Sequence, residues 1–130
     1  MPKLINKSLF QNMVHGWAVM TFGPEVANDI TERCDRYVEE SMELVQAIGY
    51  DRQRAHDLVD YVFDRPVGEV PQEVGGVMVT LAALCSVVDC HPDKLGWVEY
   101  NRINDPEIVE RIREKQRTKP TGSALPGVAK

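Results

Sequence analysis

The sequence predicts an all-α fold, an antiparallel helical bundle. Apolar residues recur at helical spacing through most of the chain, and prolines and glycines separate these segments. No segment alternates polar and apolar residues with turn dipeptides at its ends, so we assign no sheet. Because the connections between the predicted helices are short, neighbouring helices are expected to pack antiparallel.

The first predicted helix runs from Lys7 to Met20. Pro24 is suited to the first turn of a second, long helix that extends to about Ile48, where Gly49 is expected to end it. Asp51 can cap a third helix with its side chain, and this helix ends near Phe63. These three segments make up the first half of the bundle.

A fourth helix is predicted from Pro71 to about Val88. It is apolar on all sides, so it is expected to be the most buried element. Pro92 opens a fifth helix, and Asp105 with Pro106 opens a sixth. We expect one all-α domain over residues 1–117, followed by a tail, 118–130, that is flexible or docks on a neighbouring subunit.

Composition restricts the classes of partner. The chain is 43% hydrophobic, enough for a core, and its net charge is −5, which argues against a nucleic-acid polymer or an anionic membrane as the main partner. The longest uncharged run, Val74–Val88, is too short to span a bilayer. Three cysteines, Cys34, Cys85 and Cys90, are an odd count and are expected to be reduced thiols in a cytoplasmic protein.

Three carboxylates fall within five residues of the second predicted helix. At 100° per residue, Glu39, Glu40 and Glu43 lie within an arc of roughly 100°. Mg²⁺ prefers oxygen ligands of this kind, often shared with substrate phosphates. The alternative is a solvated helix face on which Arg36 pairs with Glu32 and Glu40.

A fourth carboxylate, Glu73, falls in the first turn of the apolar fourth helix. One interpretation is structural, because an acidic residue there meets the positive end of the helix dipole. The other is that Glu73 faces Glu40 and Glu43 across two packed helices, since bundles build metal sites from carboxylates on facing helices. A metal would offset the cost of a buried, unpaired carboxylate.

These residues carry a family resemblance. The segment Glu39 to Glu43 has the pattern Glu-Glu-x-x-Glu, and Glu73 begins a second pattern, Glu-x-x-Asp, that ends in Gly76 instead of aspartate. Over roughly Trp17 to Lys115, the chain resembles the MazG-like all-α nucleoside triphosphate pyrophosphohydrolases. The resemblance implies Mg²⁺-dependent cleavage between the α- and β-phosphates of a nucleoside triphosphate, giving a monophosphate and pyrophosphate.

The resemblance also implies roles for single residues. Glu39, Glu40, Glu43 and Glu73 would be catalytic. Glu40, Glu43 and Glu73 would bind the metal, while Glu39 would position a metal or the attacking water. At Gly76 no ligand is supplied, so the site would use more water, take another acid such as Asp60, use Thr80 on the same face, or lack activity.

Further residues are candidates for holding the rest of the substrate. Asn101 and Arg102 resemble the phosphate-binding residues of related enzymes in their placement. Lys115 on the last helix is a further cationic candidate, although basic residues at a helix end also complement the dipole. For the base, the N-terminal region offers Trp17, Asn12 and His15, although Trp17 is also suited to a core.

The resemblance implies a homo-oligomer, a dimer or tetramer, because the family's sites usually form at or near subunit interfaces. Two alternatives stay open. The first is a catalytically impaired nucleotide sensor, and the second is a helical interaction module that binds no nucleotide.

Overall fold

The computed structural model describes residues 7–120 and 122–127. These residues are 77% helical and contain no strand. The all-α prediction is therefore confirmed, whereas the specific bundle type stays a prediction. The seven helices within the described residues are α1 Leu9–Phe22, α2 Pro24–Ala27, α3 Ile30–Ile48, α4 Arg52–Phe63, α5 Val70–Val87, α6 Pro92–Ile103 and α7 Pro106–Thr118.

The predicted long helix from Pro24 to Ile48 is wrong at residues 28 and 29, where it divides into α2 and α3. The side-chain amide of Asn28 donates to the carbonyl oxygen of Pro24 at 2.8 Å. Asp29 Oδ1 accepts from the backbone N–H of Glu32 at 3.1 Å. Both side chains satisfy backbone groups locally, which ends one helix and begins the next.

Other predicted boundaries agree closely with the structure. Asp51 caps α4 by accepting from the backbone N–H of Arg54, and Asp105 caps α7 in the same way. Val70 begins α5 one residue before the predicted start, with Pro71 in its first turn. All three cysteines carry free thiols, as the sequence predicted.

The chain divides into two compact units, with boundaries after Tyr37 and after Leu95. The first unit combines the segments before and after residues 38–95, and the second is Val38–Leu95. The boundary after Tyr37 falls inside α3, within the single all-α domain predicted over residues 1–117.

Aromatic packing joins α1 to α6 in the first unit. Phe10 makes an edge-on contact with Trp97, with ring centroids 5.0 Å apart, and Trp97 makes a second with Tyr100 at 5.8 Å. Gly96 permits this approach, since a Cβ there would lie 3.2 Å from Phe10 Cζ. Any larger residue at Gly96 would force the Phe10 ring to move.

The C-terminal segment of the first unit contacts α3 of the same chain. Lys119 forms an ion pair with Glu32 while only 5% of the lysine side chain is exposed. Arg36 donates from Nη2 to the backbone carbonyl oxygen of Ala124. The described part of the predicted tail, 118–130, is therefore attached to α3 at these two points.

In the second unit, α5 is much less buried than its composition predicts. Of its residues only Cys85 is buried, so the prediction that this helix would be the most buried element is wrong for the single chain. One face, at i, i+3, i+4 and i+7 spacing, is partly covered, and its members are Leu81, Leu84, Cys85 and Val88. Burial therefore reaches only one side of the C-terminal half of α5.

The helix Val70–Val87 also has the length and composition to cross a membrane, with a mean hydropathy of 1.4. Core helices of soluble proteins meet the same criterion, so the observation alone does not distinguish the two environments. It does show that α5 is apolar enough to be expected to bury its side chains against other apolar groups.

Candidate functional site

Three of the four predicted carboxylates project from α3. Glu39 is partly buried, whereas Glu40 and Glu43 are exposed. All three belong to the second unit, as does Glu73 at the start of α5. Their helical spacing follows from the sequence, because α3 is continuous from Ile30 to Ile48.

A cleft of about 480 Å³ lies where α3 turns into α4, and it contains two of the predicted carboxylates. Glu39 and Glu43 line its α3 side, and Arg52 at the start of α4 lines the other. The cleft thus combines carboxylates with a guanidinium group. Its remaining lining residues are Met42, Val45, Gln46, Tyr50, Asp51 and Ala55.

Arg52 and Gln46 line this cleft but were not among the predicted site residues. The available signal was the short connection of Gly49, Tyr50 and Asp51, which had to return the chain beside the acidic end of α3. In the structure, this turn brings Arg52 to the same cleft as Glu43. Tyr50 contacts Arg54 of α4, whose Cζ lies 6.0 Å from the centroid of the tyrosine ring.

The carboxylate of Glu73 lies against the loop that precedes α5. A Cβ placed on Gly68 would overlap Glu73 Oε1 and come within 3.3 Å of Glu73 Cδ. The backbone N–H of Glu73 donates to the carbonyl oxygen of Glu69 at 3.0 Å, within the first turn of the helix. Gly68 therefore provides the space that this carboxylate occupies.

No group of three or more His, Cys, Asp or Glu side chains is close enough to hold a metal ion among residues 7–120 and 122–127. A single chain thus does not bring Glu40, Glu43 and Glu73 together, and Asp60 does not complete a group with them. At Gly76 an added Cβ would meet nothing within 4 Å. Thr80, the other suggested substitute, donates to the carbonyl oxygen of Gly76 at 2.9 Å.

The phosphate-binding candidates lie in the first unit. Arg102 makes a two-pronged contact with Glu99, with Nη2 to Oε1 at 2.7 Å and Nε to Oε2 at 3.0 Å. These hydrogen bonds hold the pKa of Glu99 below its usual value. Asn101 and Lys115 are both exposed. A phosphate bound by Arg102 would compete with the Glu99 carboxylate.

Of the base-binding candidates, Trp17 has a clear structural role. Its indole N–H donates to the backbone carbonyl oxygen of Ile103 at 2.9 Å, and its ring contacts Phe22 edge-on at 5.6 Å. The side-chain amide of Asn12 donates to the carbonyl oxygen of Lys7 at 3.4 Å, and His15 is exposed. Trp17 thus connects α1 to the end of α6.

A groove of about 870 Å³ runs beside Trp17 in the first unit. Its walls are mostly apolar and aromatic, which suits a planar ring. Two of its polar side chains already form hydrogen bonds within the protein. Asn104 donates to the carbonyl oxygen of Tyr100, and Arg113 donates to that of Thr21. The groove is also lined by Met13, Gly16, Met20, Pro106, Val109 and Glu110.

Comparison with known proteins adds no identification. No protein-family model matches this chain. Searches of the curated proteins and of the solved structures also give no match.

Proposed function

We propose that this protein is a Mg²⁺-dependent nucleoside triphosphate pyrophosphohydrolase that acts in the cytoplasm. The observation that carries the proposal is the cleft at the α3–α4 turn, where Glu39 and Glu43 face a space shared with Arg52. Carboxylates and a guanidinium in one cleft are the groups needed to hold a metal–phosphate substrate.

In the proposed hydrolysis, each acidic side chain and Arg52 would have a separate role. Glu40, Glu43 and Glu73 would hold Mg²⁺, which when bound neutralises phosphate charge and lowers the pKa of bound water. Glu39, the partly buried carboxylate, would orient the attacking water. Arg52 would bind the leaving phosphates through its planar fork of donors.

The proposal includes a homo-oligomer. Glu40, Glu43 and Glu73 do not form one metal-sized group within the described residues of a single chain, so a complete metal site needs a movement of α5 or a second copy of the chain. We propose the second copy, with Glu73 of one subunit approaching Glu40 and Glu43 of its partner.

The reaction is tested by incubating the protein with a panel of canonical and modified nucleoside triphosphates plus Mg²⁺. We expect a monophosphate and pyrophosphate on ion-exchange chromatography, both abolished by EDTA and by Glu40→Gln. Glu25→Gln is the matched control, because Glu25 is an exposed acid on α2 in the first unit, whereas Glu40 and the cleft belong to the second unit. Turnover that survives in Glu40→Gln would exclude the assigned site.

Subunit mixing tests how the site is assembled. Glu40→Gln and Glu73→Gln should each be inactive alone. If the site is shared between subunits of a dimer, co-expression should restore about a quarter of wild-type activity, because half the dimers are mixed and each has one intact site. A mixture that stays inactive would place all the ligands in one chain.

A second candidate function is nucleotide sensing without turnover. It is favoured by Gly76, which supplies no side chain where the resembling family has an aspartate, and by the absence of a three-carboxylate group in the described residues. Calorimetric titration distinguishes the two. A sensor should bind nucleotide with Mg²⁺ while the product assay stays blank.

A further inference from the structure

Two cysteines lie at the C-terminal end of α5, and the proposed function uses neither of them. Cys85 is in the last turn of the helix and is only 7% exposed. Cys90 follows three residues after the helix ends, and its side chain is exposed. Both side chains are free thiols. One end of α5 therefore carries a buried thiol and an accessible one, with four residues between them.

The backbone between these cysteines makes a tight reversal. The N–H of Cys90 donates to the carbonyl oxygen of Cys85 at 2.9 Å. Asp89, just before Cys90, has a φ of 56°, in the left-handed region that few residues other than glycine adopt. This hydrogen bond and this φ are the features of a Schellman motif, the turn that commonly ends a helix. The chain therefore folds back, and Cys90 returns to the last turn of α5.

This turn brings the two thiols within reach of each other. A contact between the side chains of the two residues joined by its long hydrogen bond frequently accompanies a Schellman motif, and here both residues are cysteines. One backbone hydrogen bond holds the Cα atoms of the residues it joins roughly 6 Å apart, and disulfides form at roughly 4.4–6.8 Å. The Cys90 sulfur is already turned towards the helix end, 3.7 Å from the carbonyl oxygen of Val88.

We propose that Cys85 and Cys90 form a reversible disulfide within one chain when the protein meets a small-molecule disulfide such as oxidised glutathione. The Cys90 thiolate attacks one sulfur of the oxidant, which gives a mixed disulfide and releases one glutathione thiolate. The Cys85 thiolate then attacks the Cys90 sulfur, which forms the internal disulfide and releases the second glutathione thiolate. The two cysteine protons pass through solvent to the released thiolates, so one oxidant molecule becomes two thiols.

The unequal exposure of the two thiols sets the order of these steps. Cys90 is open to the oxidant, whereas Cys85 is buried beside the turn and resolves the mixed disulfide. Redox-responsive sites often combine an accessible cysteine with a resolving one, and disulfides of cytosolic proteins are usually transient and of this kind. The disulfide protects Cys90 from irreversible oxidation and covalently fixes the turn between α5 and α6. It forms whether or not the protein hydrolyses nucleotides.

Equilibration with glutathione tests the pairing. The reduced protein is held at several ratios of oxidised to reduced glutathione, quenched with acid, alkylated and digested with trypsin. No Lys or Arg lies between Cys85 and Cys90, so both fall in one peptide, whereas Arg33 and Arg36 place Cys34 in another. We expect the first peptide to lose two hydrogens and carry no alkyl group, in protein that runs as a single chain on a non-reducing gel.

The folded turn should favour closure of the disulfide. We expect its equilibrium constant to be about tenfold or more above that of the urea-unfolded chain, because the turn holds the thiols together. Cys34→Ser is the matched control and should close as the wild type does, since Cys34 belongs to the first unit. Cys85→Ser should stop the exchange at its first step, with one glutathione on Cys90.

A change at Asp89 keeps the test decisive if Cys85→Ser fails to fold. Asp89→Val should lower the closure constant about tenfold, because a β-branched residue disfavours the left-handed φ of this turn. Asp89→Asn is its control and should close as the wild type does, since asparagine tolerates that φ. A folded protein whose cysteines never pair, or pair only between two chains, overturns the proposal. So does closure that is equally favourable in the unfolded chain or unaffected by Asp89→Val.

Discussion

Arg113 on α7 donates from Nε to the backbone carbonyl oxygen of Thr21 at 3.0 Å. Its Nη2 also donates to the carbonyl oxygen of Met20 at 3.1 Å. Both carbonyls belong to the last turn of α1, where helical hydrogen-bond partners run out. A cation in this position also complements the negative end of the α1 dipole. Arg113 therefore attaches α7 to the end of α1, within the first unit.

Replacing Arg113 with Met keeps much of the aliphatic chain and removes the guanidinium. We expect a loss of about 1–2 kcal/mol in the free energy of unfolding, towards the lower end for hydrogen bonds to a charged group because the side chain is 40% exposed. Urea denaturation measures this change in the free energy of unfolding. Arg111→Met, at an exposed position of the same helix, should change stability by much less. Equal losses in the two variants would contradict the assigned role.

Substituting Trp17 distinguishes a structural role from the proposed recognition of a nucleotide base. Trp17→Phe keeps an aromatic ring beside Phe22 and removes the indole N–H, leaving the carbonyl oxygen of Ile103 without this donor. We expect a loss of about 1 kcal/mol in thermal or urea unfolding and little change in KM for nucleotide. A raised KM with unchanged stability would instead assign Trp17 to the base. His15→Ala, at an exposed position, tests recognition with no packing change.

Helix boundaries were predictable where one residue dictates the backbone. Asp51 and Asp105 were identified as caps because a carboxylate there accepts from the first free N–H groups of a helix. The break at Asn28 and Asp29 was missed because both residues satisfy their neighbours through side-chain hydrogen bonds. Hydrophobic periodicity continues through such a break and does not reveal it.

The candidate site shows a similar division between local and tertiary information. The positions of Glu39 and Glu43 on one helix follow from spacing alone. Their proximity to Arg52 depends on the turn between α3 and α4, and the position of Glu73 depends on the loop at Gly68. Hydropathy likewise shows that α5 must be covered, but a single sequence does not say whether its own chain or another one covers it.

The pH dependence of stability should reveal the contact between Glu99 and Arg102. Hydrogen bonds from Arg102 lower the pKa of Glu99 in the folded protein, so the contact stabilises the fold above the unfolded-state pKa and is lost as pH falls through the folded pKa. Both side chains are more than half exposed, so we expect only about 0.3–0.5 kcal/mol. Glu99→Gln should lower stability by this amount at neutral pH and match the wild type in acid. A constant difference at all pH values would contradict the assignment.

The contact between Gly68 and Glu73 gives a test of where Glu73 acts if it has the proposed catalytic role. Gly68→Ala would place a methyl group on Glu73 Oε1 and displace the flexible end of that side chain, so we expect a small change in stability but a clear loss of Mg²⁺-dependent turnover. Gly16→Ala is the matched control, because a Cβ there meets nothing within 4 Å. It lies within α1, so it should stabilise the protein by about 0.5–1 kcal/mol and leave the Mg²⁺ dependence of turnover unchanged. If Gly68→Ala keeps full activity while Glu73→Gln is inactive, Glu73 does not act from its position beside this loop.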